Sequence, residues 1–108
     1  MWCLFVLGAP EFVIEPNDTF VVQGNDVRLP CLVSGVPQPT IRWKFKGKYI
    51  EKPFIINNGT LVIENVLNND LFEGTYTCEA TNPVATTLKA AILDVYGTLF
   101  SSMIVMII

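Results

Sequence analysis

Two cysteines, one tryptophan and one tyrosine constrain this chain more than any other feature. Cys31, Trp43 and Cys78 each fall on the apolar side of a short segment in which apolar and polar residues alternate, and Tyr76 stands two residues before Cys78. A period of two is typical of half-buried β-strands, whose alternate side chains point to opposite faces. Two cysteines on different strands of a small sandwich can be bridged across its sheets, and a tryptophan can cover the sulfur atoms. The pattern therefore predicts two packed sheets with these residues between them.

Short strand-like segments with turns between them fill most of the chain. β-Branched and aromatic residues crowd these segments, whereas proline, glycine and asparagine separate them. The sequence shows no convincing amphipathic helix, so we predict that this chain of 108 residues contains a single all-β domain. The predicted strands are at 11–14, 19–23, 27–32, 41–46, 54–56, 60–63, 75–81 and 86–95, with turns or loops at 24–26, 34–39, 47–52, 57–59 and 82–85.

Four stretches of the sequence resemble the immunoglobulin superfamily, and within it the I-set. They are "GNDVRLPC" at 24–31, "GVPQPTIRWKFKGKYI" at 35–50, "NGTLVIENV" at 58–66 and "EGTYTCEATN" at 73–82. These stretches are most similar in sequence to domains of neural cell-adhesion receptors of the L1 and contactin type. The resemblance implies an immunoglobulin-like Greek-key β-sandwich of two antiparallel sheets over residues 10–95.

The resemblance also implies roles for individual core residues. Cys31 and Cys78 match the family's inter-sheet disulfide, and Trp43 matches the tryptophan that packs against it. Leu61 fills the leucine position of the family pattern. We therefore expect these four residues to lie together in the core.

The stretch around Tyr76 both matches and departs from the family pattern. Tyr76 takes the place of the tyrosine corner, whose hydroxyl bonds the backbone just upstream, which here means the region of Asp70 or Leu71. The family usually has an aspartate two residues before the glycine of this motif, often in an ion pair with the opposite sheet. Phe72 stands in that place. We expect the fold to form without this ion pair.

The two ends of the chain are apolar and lie outside the predicted domain. Residues 1–9 resemble the remnant of a secretory leader core, or the start of a fragment, and include the unmatched Cys3. The tail at 96–108 is too short for a membrane-spanning helix, which needs about 20 apolar residues. It is either the first half of a truncated membrane span or an aberrant end. Any membrane association would come only through this segment.

The composition argues against catalysis and against nucleic-acid binding. The chain has no histidine, which removes the usual general base and the commonest neutral metal ligand. Cys31 and Cys78 lack the paired spacing of a zinc site, and there is no glycine-rich phosphate loop. A net charge of −3 does not favour binding to phosphates. We predict a non-enzyme without metal or cofactor and without a nucleic-acid partner.

Two N-glycosylation acceptor sequences are present, at Asn17 and at Asn58. A three-residue pattern also arises by chance in an asparagine-rich chain. For Asn58 there is a further explanation, because Asn-Gly is a turn dipeptide in its own right. Both residues are glycosylation candidates if the chain is secreted.

A basic patch is predicted on one strand. Arg42, Lys44 and Lys46 alternate with apolar residues, so we expect them to point outward from the sheet. They could bind an acidic protein surface or a sulfated glycan. The simpler interpretation, which we favour, is a solvated face with cross-strand pairs to Glu79.

Two functional classes fit these expectations. In the first, the chain is an extracellular module at the plasma membrane surface, used in cell adhesion or recognition, with another protein or a second copy of itself as partner; family likeness points to a neural setting. In the second, it is an intracellular structural I-set domain of a sarcomeric or cytoskeletal protein. Disulfides persist in oxidising compartments and are rare in the cytosol. The cysteine pair, the two acceptor asparagines and the apolar start favour the extracellular class.

Overall fold

The computed structural model describes residues 6–50, 57–66 and 72–97. Within these ranges the chain forms nine strands and one short 3₁₀ turn, which confirms the predicted all-β fold class. The strands are β1 Gly8–Ile14, β2 Thr19–Val22, β3 Val27–Leu29, β4 Leu32–Val36, β5 Thr40–Phe45, β6 Lys48–Tyr49, β7 Leu61–Ile63, β8 Gly74–Thr81 and β9 Thr86–Tyr96, and the turn is Asn57–Gly59.

Five strands form the larger sheet, in the order β2-β9-β8-β5-β6. β8 lies at its centre and pairs antiparallel with β5 on one side and with β9 on the other. β2 joins the edge by pairing in parallel with β9, from Thr19 opposite Leu93 to Val22 opposite Tyr96. The remaining ladders of the described ranges are antiparallel. The sandwich therefore contains one parallel ladder that the sequence did not predict.

Two shorter ladders make up the opposite layer. β3 pairs with β7, and β4 pairs with β1. Only Pro30 and Cys31 separate β3 from β4, and a proline has no amide hydrogen to donate to a ladder. Residues 27–36 thus cross this layer as one stretch that is interrupted at Pro30.

The core lies between the two layers. Leu29 and Leu61 come from the second layer, Trp43, Cys78 and Leu93 come from the larger sheet, and each of them is 0% exposed. Each layer contributes the inward half of its alternating side chains, as expected for two sheets that pack face to face. Counting in steps of two along the sequence therefore identified the buried side of β3, β5, β8 and β9, whereas the core position of Leu61 was implied by the family resemblance.

A two-residue turn, Lys46-Gly47, joins β5 to β6. The φ angles of Lys46 and Gly47 are 52° and 83°, and two positive φ angles are the geometry of a type I′ hairpin turn. The turn is shorter than the predicted 47–52, since the strand resumes at Lys48. The predicted outward strand position of Lys46 is wrong, because this residue is part of the turn.

The loop predicted at 34–39 is also shorter than expected. β4 continues to Val36 because its backbone pairs with β1, with Val36 opposite Gly8. The sequence favoured a loop here because of its prolines, and the prolines at 37 and 39 do follow the end of the strand.

Some predictions concern residues outside the described ranges. These are the strand at 54–56, Cys3, and the tail from residue 98 onward. At the domain limits, β1 begins at Gly8 and β9 ends at Tyr96. The domain boundaries at 10 and 95 stay a prediction.

Candidate functional site

The predicted disulfide joins the two layers. Cys31 and Cys78 are bonded across 47 positions of sequence, with their Cα atoms 6.6 Å apart, and they are 1% and 0% exposed. Trp43 lies directly opposite Cys78 in the β5–β8 ladder. A bridge of this kind typically contributes about 2–4 kcal/mol of stability. The three residues form the centre of the core.

The indole of Trp43 also fixes the turn that precedes β7. Its Nε1 donates a hydrogen bond of 2.6 Å to the carbonyl oxygen of Gly59. Gly59 has a φ of 84°, and a Cβ atom there would lie 2.9 Å from the carbonyl oxygen of Cys31 and 3.0 Å from Ile41. Only glycine fits this close approach without displacing its neighbours. The Asn57–Gly59 turn is thus held against both the bridge and β5.

Tyr76 closes one end of the core. It is 3% exposed, and its ring stacks on Phe45 with the centroids 4.4 Å apart. Its hydroxyl donates to the upstream carbonyl oxygen of Phe72 at 2.7 Å, one residue beyond the predicted region of Asp70 and Leu71. Burial raises the pKa of the Tyr76 phenol well above its ordinary value.

Phe72, which stands where the family usually has an aspartate, makes apolar contacts. Phe72 is partly buried and packs against the core cluster. The neighbouring Glu73 uses its carboxylate to accept a hydrogen bond of 2.9 Å from the backbone amide of Val95. The Phe72 ring, packed against the core, and the hydrogen bond between the Glu73 carboxylate and the backbone of β9 thus hold this segment.

The predicted basic patch is largely engaged with its own sheet. Lys44 lies 3.5 Å from the Glu79 carboxylate, which also accepts hydrogen bonds from the Tyr49 hydroxyl at 3.1 and 3.2 Å. The Arg42 guanidinium stacks on the Tyr49 ring, 3.4 Å from its centroid. Lys46 is in the turn, with its ammonium 5.1 Å from the Phe45 centroid. These contacts favour the simpler interpretation of a solvated face with internal pairing.

The outer face of the larger sheet carries an apolar stripe that the sequence interpretation missed. Phe20 is 70% exposed, and the other four members are between 41% and 53% exposed. The stripe consists of Phe20, Val22, Leu88, Ile92 and Tyr96. Phe20 and Tyr96 touch edge to face, with centroids 5.8 Å apart. Counting the outward positions of β2 and β9 would have found these residues, but only if the two strands were known to pair.

The two glycosylation candidates lie in different surroundings. Asn17 is exposed between β1 and β2, and its carbonyl oxygen accepts a hydrogen bond of 2.7 Å from the Thr19 hydroxyl. Asn58 is exposed at the centre of the Asn57–Gly59 turn, with a φ of 68°. A recess of about 310 Å³ opens beside Asn58.

Two features, a cluster of metal-binding side chains and a membrane-spanning helix, are absent from the part of the chain that the structure describes. Within it, no group of three or more histidine, cysteine, aspartate or glutamate side chains could hold a metal ion. Among the same residues, no helix is long and apolar enough to cross a membrane.

Comparisons with known proteins show which family has this arrangement. The peroxidasin homolog pxn-1 of Caenorhabditis elegans is 35% identical over 95 residues, which cover 84% of this chain and 7% of the relative. The cell adhesion molecule Dscam1 of Drosophila melanogaster is 30% identical over 93 residues, covering 78% and 4%. Hemolin of Hyalophora cecropia is 39% identical over 82 residues, covering 73% and 19%. This chain spans at most 19% of the length of these relatives.

Solved structures and a family model agree with these relatives. A chimeric titin Z1Z2 matches with a TM-score of 0.78 and 32% identity, covering 85% of this chain and 99% of that one. The insect immune protein hemolin matches with a TM-score of 0.73 and 32% identity, covering 82% and 23%. The family model described as immunoglobulin domain matches residues 9–82. The chain therefore belongs to the immunoglobulin superfamily.

Proposed function

We propose that this chain is a non-catalytic, extracellular I-set module that binds protein in cell adhesion or cell-surface recognition. The buried bridge between Cys31 and Cys78 is the observation that carries the proposal. Disulfides persist in oxidising compartments and are rare in the cytosol. The likeness to Dscam1, which is named as a cell adhesion molecule, supports the same location. The resemblance to L1-type and contactin-type domains suggests a neural cell surface.

A second copy of the chain is the partner that we propose. The outer face of the larger sheet presents the apolar stripe on its β2–β9 side and the cations Arg42 and Lys44 on β5. Asp94 is exposed on β9 and supplies the opposite charge. A face that carries apolar side chains and charges of both signs can be complementary to itself in a two-fold contact. The hemolin structure, described with implications for homophilic adhesion, gives this partner further support.

The homophilic contact can be tested with beads that display the full chain, produced behind a secretory leader. We expect the beads to aggregate and Ile92→Lys to abolish aggregation, because a lysine would place an unpaired charge in the contact. The matched control is Val13→Lys, which changes a residue of the opposite layer that is 59% exposed. Equal loss with both variants, or aggregation that survives Ile92→Lys, contradicts the proposed surface. Beads that stay dispersed contradict the homophilic partner.

A charge-reversal test measures the contribution of the basic residues to aggregation separately from that of the apolar stripe. Reversing Arg42 and Lys44 to glutamate should weaken aggregation if they face Asp94 of the second copy. Unchanged aggregation would assign these residues to the solvated face alone. Binding to a sulfated glycan has weaker support, since Lys46 lies in the turn and the same face carries the carboxylates of Glu79 and Asp94.

An intracellular structural domain is the second candidate function. The likeness to chimeric titin Z1Z2, at a TM-score of 0.78, is the observation that favours it. Gel mobility with and without reductant distinguishes the two candidates. A chain that has passed through a secretory host should change mobility on reduction, whereas a chain that keeps its thiols free and carries no glycan supports the structural candidate.

A further inference from the structure

We propose that the first N-acetylglucosamine of a glycan on Asn58 seats in the recess beside this residue and becomes part of the fold. The inference rests on the proposed extracellular location. In the transfer, the Asn58 side-chain nitrogen forms a bond to C1 of the sugar, and the bond from C1 to the diphosphate of a lipid-linked oligosaccharide donor breaks. The amide loses one proton, and the lipid diphosphate leaves.

The position of Asn58 is fixed by the core. Asn58 directly precedes Gly59, whose carbonyl oxygen accepts the hydrogen bond from the buried Trp43 indole. A Cβ atom on Gly59 would lie 2.9 Å from the Cys31 carbonyl oxygen and 3.0 Å from Ile41, so the turn packs closely against both residues. The φ of 68° at Asn58 is one that asparagine tolerates better than most residues. The acceptor asparagine therefore stands on a rigid support with an exposed side chain.

Asn58 is itself one of the residues that line the recess. Its lining includes Leu32, Gln38, Pro39, Ile41, Asn58 and Gly59. Its volume of about 310 Å³ lies at the low end of small-ligand pockets, which run from about 300 to 1,000 Å³. That size suits a single sugar residue rather than a whole glycan.

The chemistry of the walls suits the faces of a pyranose ring. Leu32, Pro39 and Ile41 offer apolar surface, and Leu32 is 38% exposed to solvent in this structure. The Gln38 amide is held by a hydrogen bond of 3.2 Å to the Val33 carbonyl oxygen, which keeps that side of the recess in place. A sugar attached to Asn58 has no translational freedom to lose on entering, so a modest apolar contact suffices to seat it.

Asn17 provides the internal control. It is exposed on the segment between β1 and β2, and it does not line this recess. A sugar on Asn17 would thus lie outside this recess. The inference therefore predicts that two acceptor sites of the same chain respond differently to the loss of their sugars.

The test uses the full chain secreted behind a leader and trimmed with an endoglycosidase that leaves one N-acetylglucosamine on each site. Thr60→Ala removes the Asn58 sugar without changing Asn58, and Asn17→Gln removes the other. The same proteins, oxidised but made in a host without glycosylation, supply the effect of each substitution alone. After this subtraction we expect Thr60→Ala to lower Tm by about 4–8 °C and Asn17→Gln to leave it unchanged. Magnetisation transfer from the acetyl methyl of the Asn58 sugar to the methyl groups of Ile41 and Leu32 should also appear in NMR spectra.

Two results overturn the inference while leaving the extracellular location intact. One is an Asn58 sugar whose removal changes Tm no more than the Asn17 control and which shows no transfer to Ile41 or Leu32. The other is a secreted, oxidised chain that carries sugar on Asn17 but never on Asn58. A secreted chain with free thiols and no sugar on either site contradicts both the inference and the proposed location.

Discussion

Each end of β8 is closed by a buried polar side chain, but the two ends are closed in different ways. At the beginning of the strand, Tyr76 buries a large ring against Phe45 and makes one hydrogen bond to Phe72, four residues away. Directly after the strand, Asn82 is 8% exposed and buries little apolar surface. It acts through hydrogen bonds instead.

Asn82 ties three separate segments together. Its side-chain nitrogen donates to the carbonyl oxygens of Gly8 at 2.8 Å and Pro37 at 3.0 Å. Its side-chain oxygen accepts from the backbone amides of Val84 at 2.9 Å and Ala85 at 3.1 Å. One residue thus connects the start of β1, the loop before β5 and the turn before β9. One end of the sandwich is therefore stabilised mainly by apolar packing, and the other end is stabilised by a network of hydrogen bonds.

The largest expected effect comes from Trp43, which lies between the two ends. Trp43→Ala should cost about 3–5 kcal/mol because it removes a large core side chain and leaves both ends without a common support. Denaturant unfolding measures the loss. Since this variant could fail to fold, Trp43→Phe serves as the second variant, and it should lose the bond to Gly59 while keeping most of the bulk. A Trp43→Ala protein that unfolds at the parent's denaturant midpoint would contradict the core assignment.

Asn82→Ala should have the second largest effect. It should lower the free energy of unfolding by about 1–3 kcal/mol, because several partly buried backbone groups lose their hydrogen-bond partner. The matched control is Asn25→Ala, which changes an exposed asparagine in the turn after β2 and should stay within about 0.5 kcal/mol. Hydrogen exchange at the amides of Val84 and Ala85 should become faster in the Asn82 variant only. If Asn82→Ala and Asn25→Ala lowered the free energy of unfolding equally, the Asn82 end would not depend on the hydrogen bonds of Asn82.

Tyr76→Phe keeps the ring and removes only the hydroxyl, so it should cost about 0.5–1.5 kcal/mol. Chemical unfolding measures the difference from the parent. The comparison requires this value to be smaller than that of Asn82→Ala. A larger value would mean that the Tyr76 end also depends chiefly on its hydrogen bond.

The smallest expected effect is a loss of folding stability at alkaline pH that depends on Tyr76. The pKa of the buried Tyr76 phenol is raised from an ordinary value of 10.0, so the folded state keeps a proton that the unfolded state releases. The contribution of the Tyr76 phenol to the free energy of unfolding is fully present below about pH 10 and declines as the pH rises further. Unfolding at stepwise pH above 9, with Tyr76→Phe as control, should show a shallower decline in the variant. Parallel declines in the two proteins would contradict this assignment.

The sequence predicted the Tyr76 end but not the Asn82 end, and the reason is distance along the chain. Alternation within single strands depends only on local geometry and marks Tyr76, Cys78 and Trp43 as buried. The upstream hydrogen bond of Tyr76 was implied by the resemblance to the family. The partners of Asn82 at Gly8 and Pro37 are 74 and 45 residues away. No local pattern indicates such bonds, because they depend on how the strands come together.

The same limit applies to the candidate surface. Alternation placed Arg42 and Lys44 on the outside, but the apolar stripe exists only because β2 pairs with β9, which brings Phe20 to Tyr96. Lys46 was assigned to a strand because the run of alternating residues continues into the turn. A two-residue turn with two positive φ angles interrupts that run at a lysine, a residue that gives no local signal for this conformation.

The bridge between Cys31 and Cys78 also limits how far this chain can be extended by tension. The loop that it closes covers 47 positions of sequence, or roughly 160 Å of fully extended chain at about 3.3–3.6 Å per residue. A force applied through the two termini could pull the flanking strands away, yet that length would stay locked until the sulfur bond was reduced. An oxidised copy is therefore a shorter tether than a reduced one, whichever molecule pulls on it.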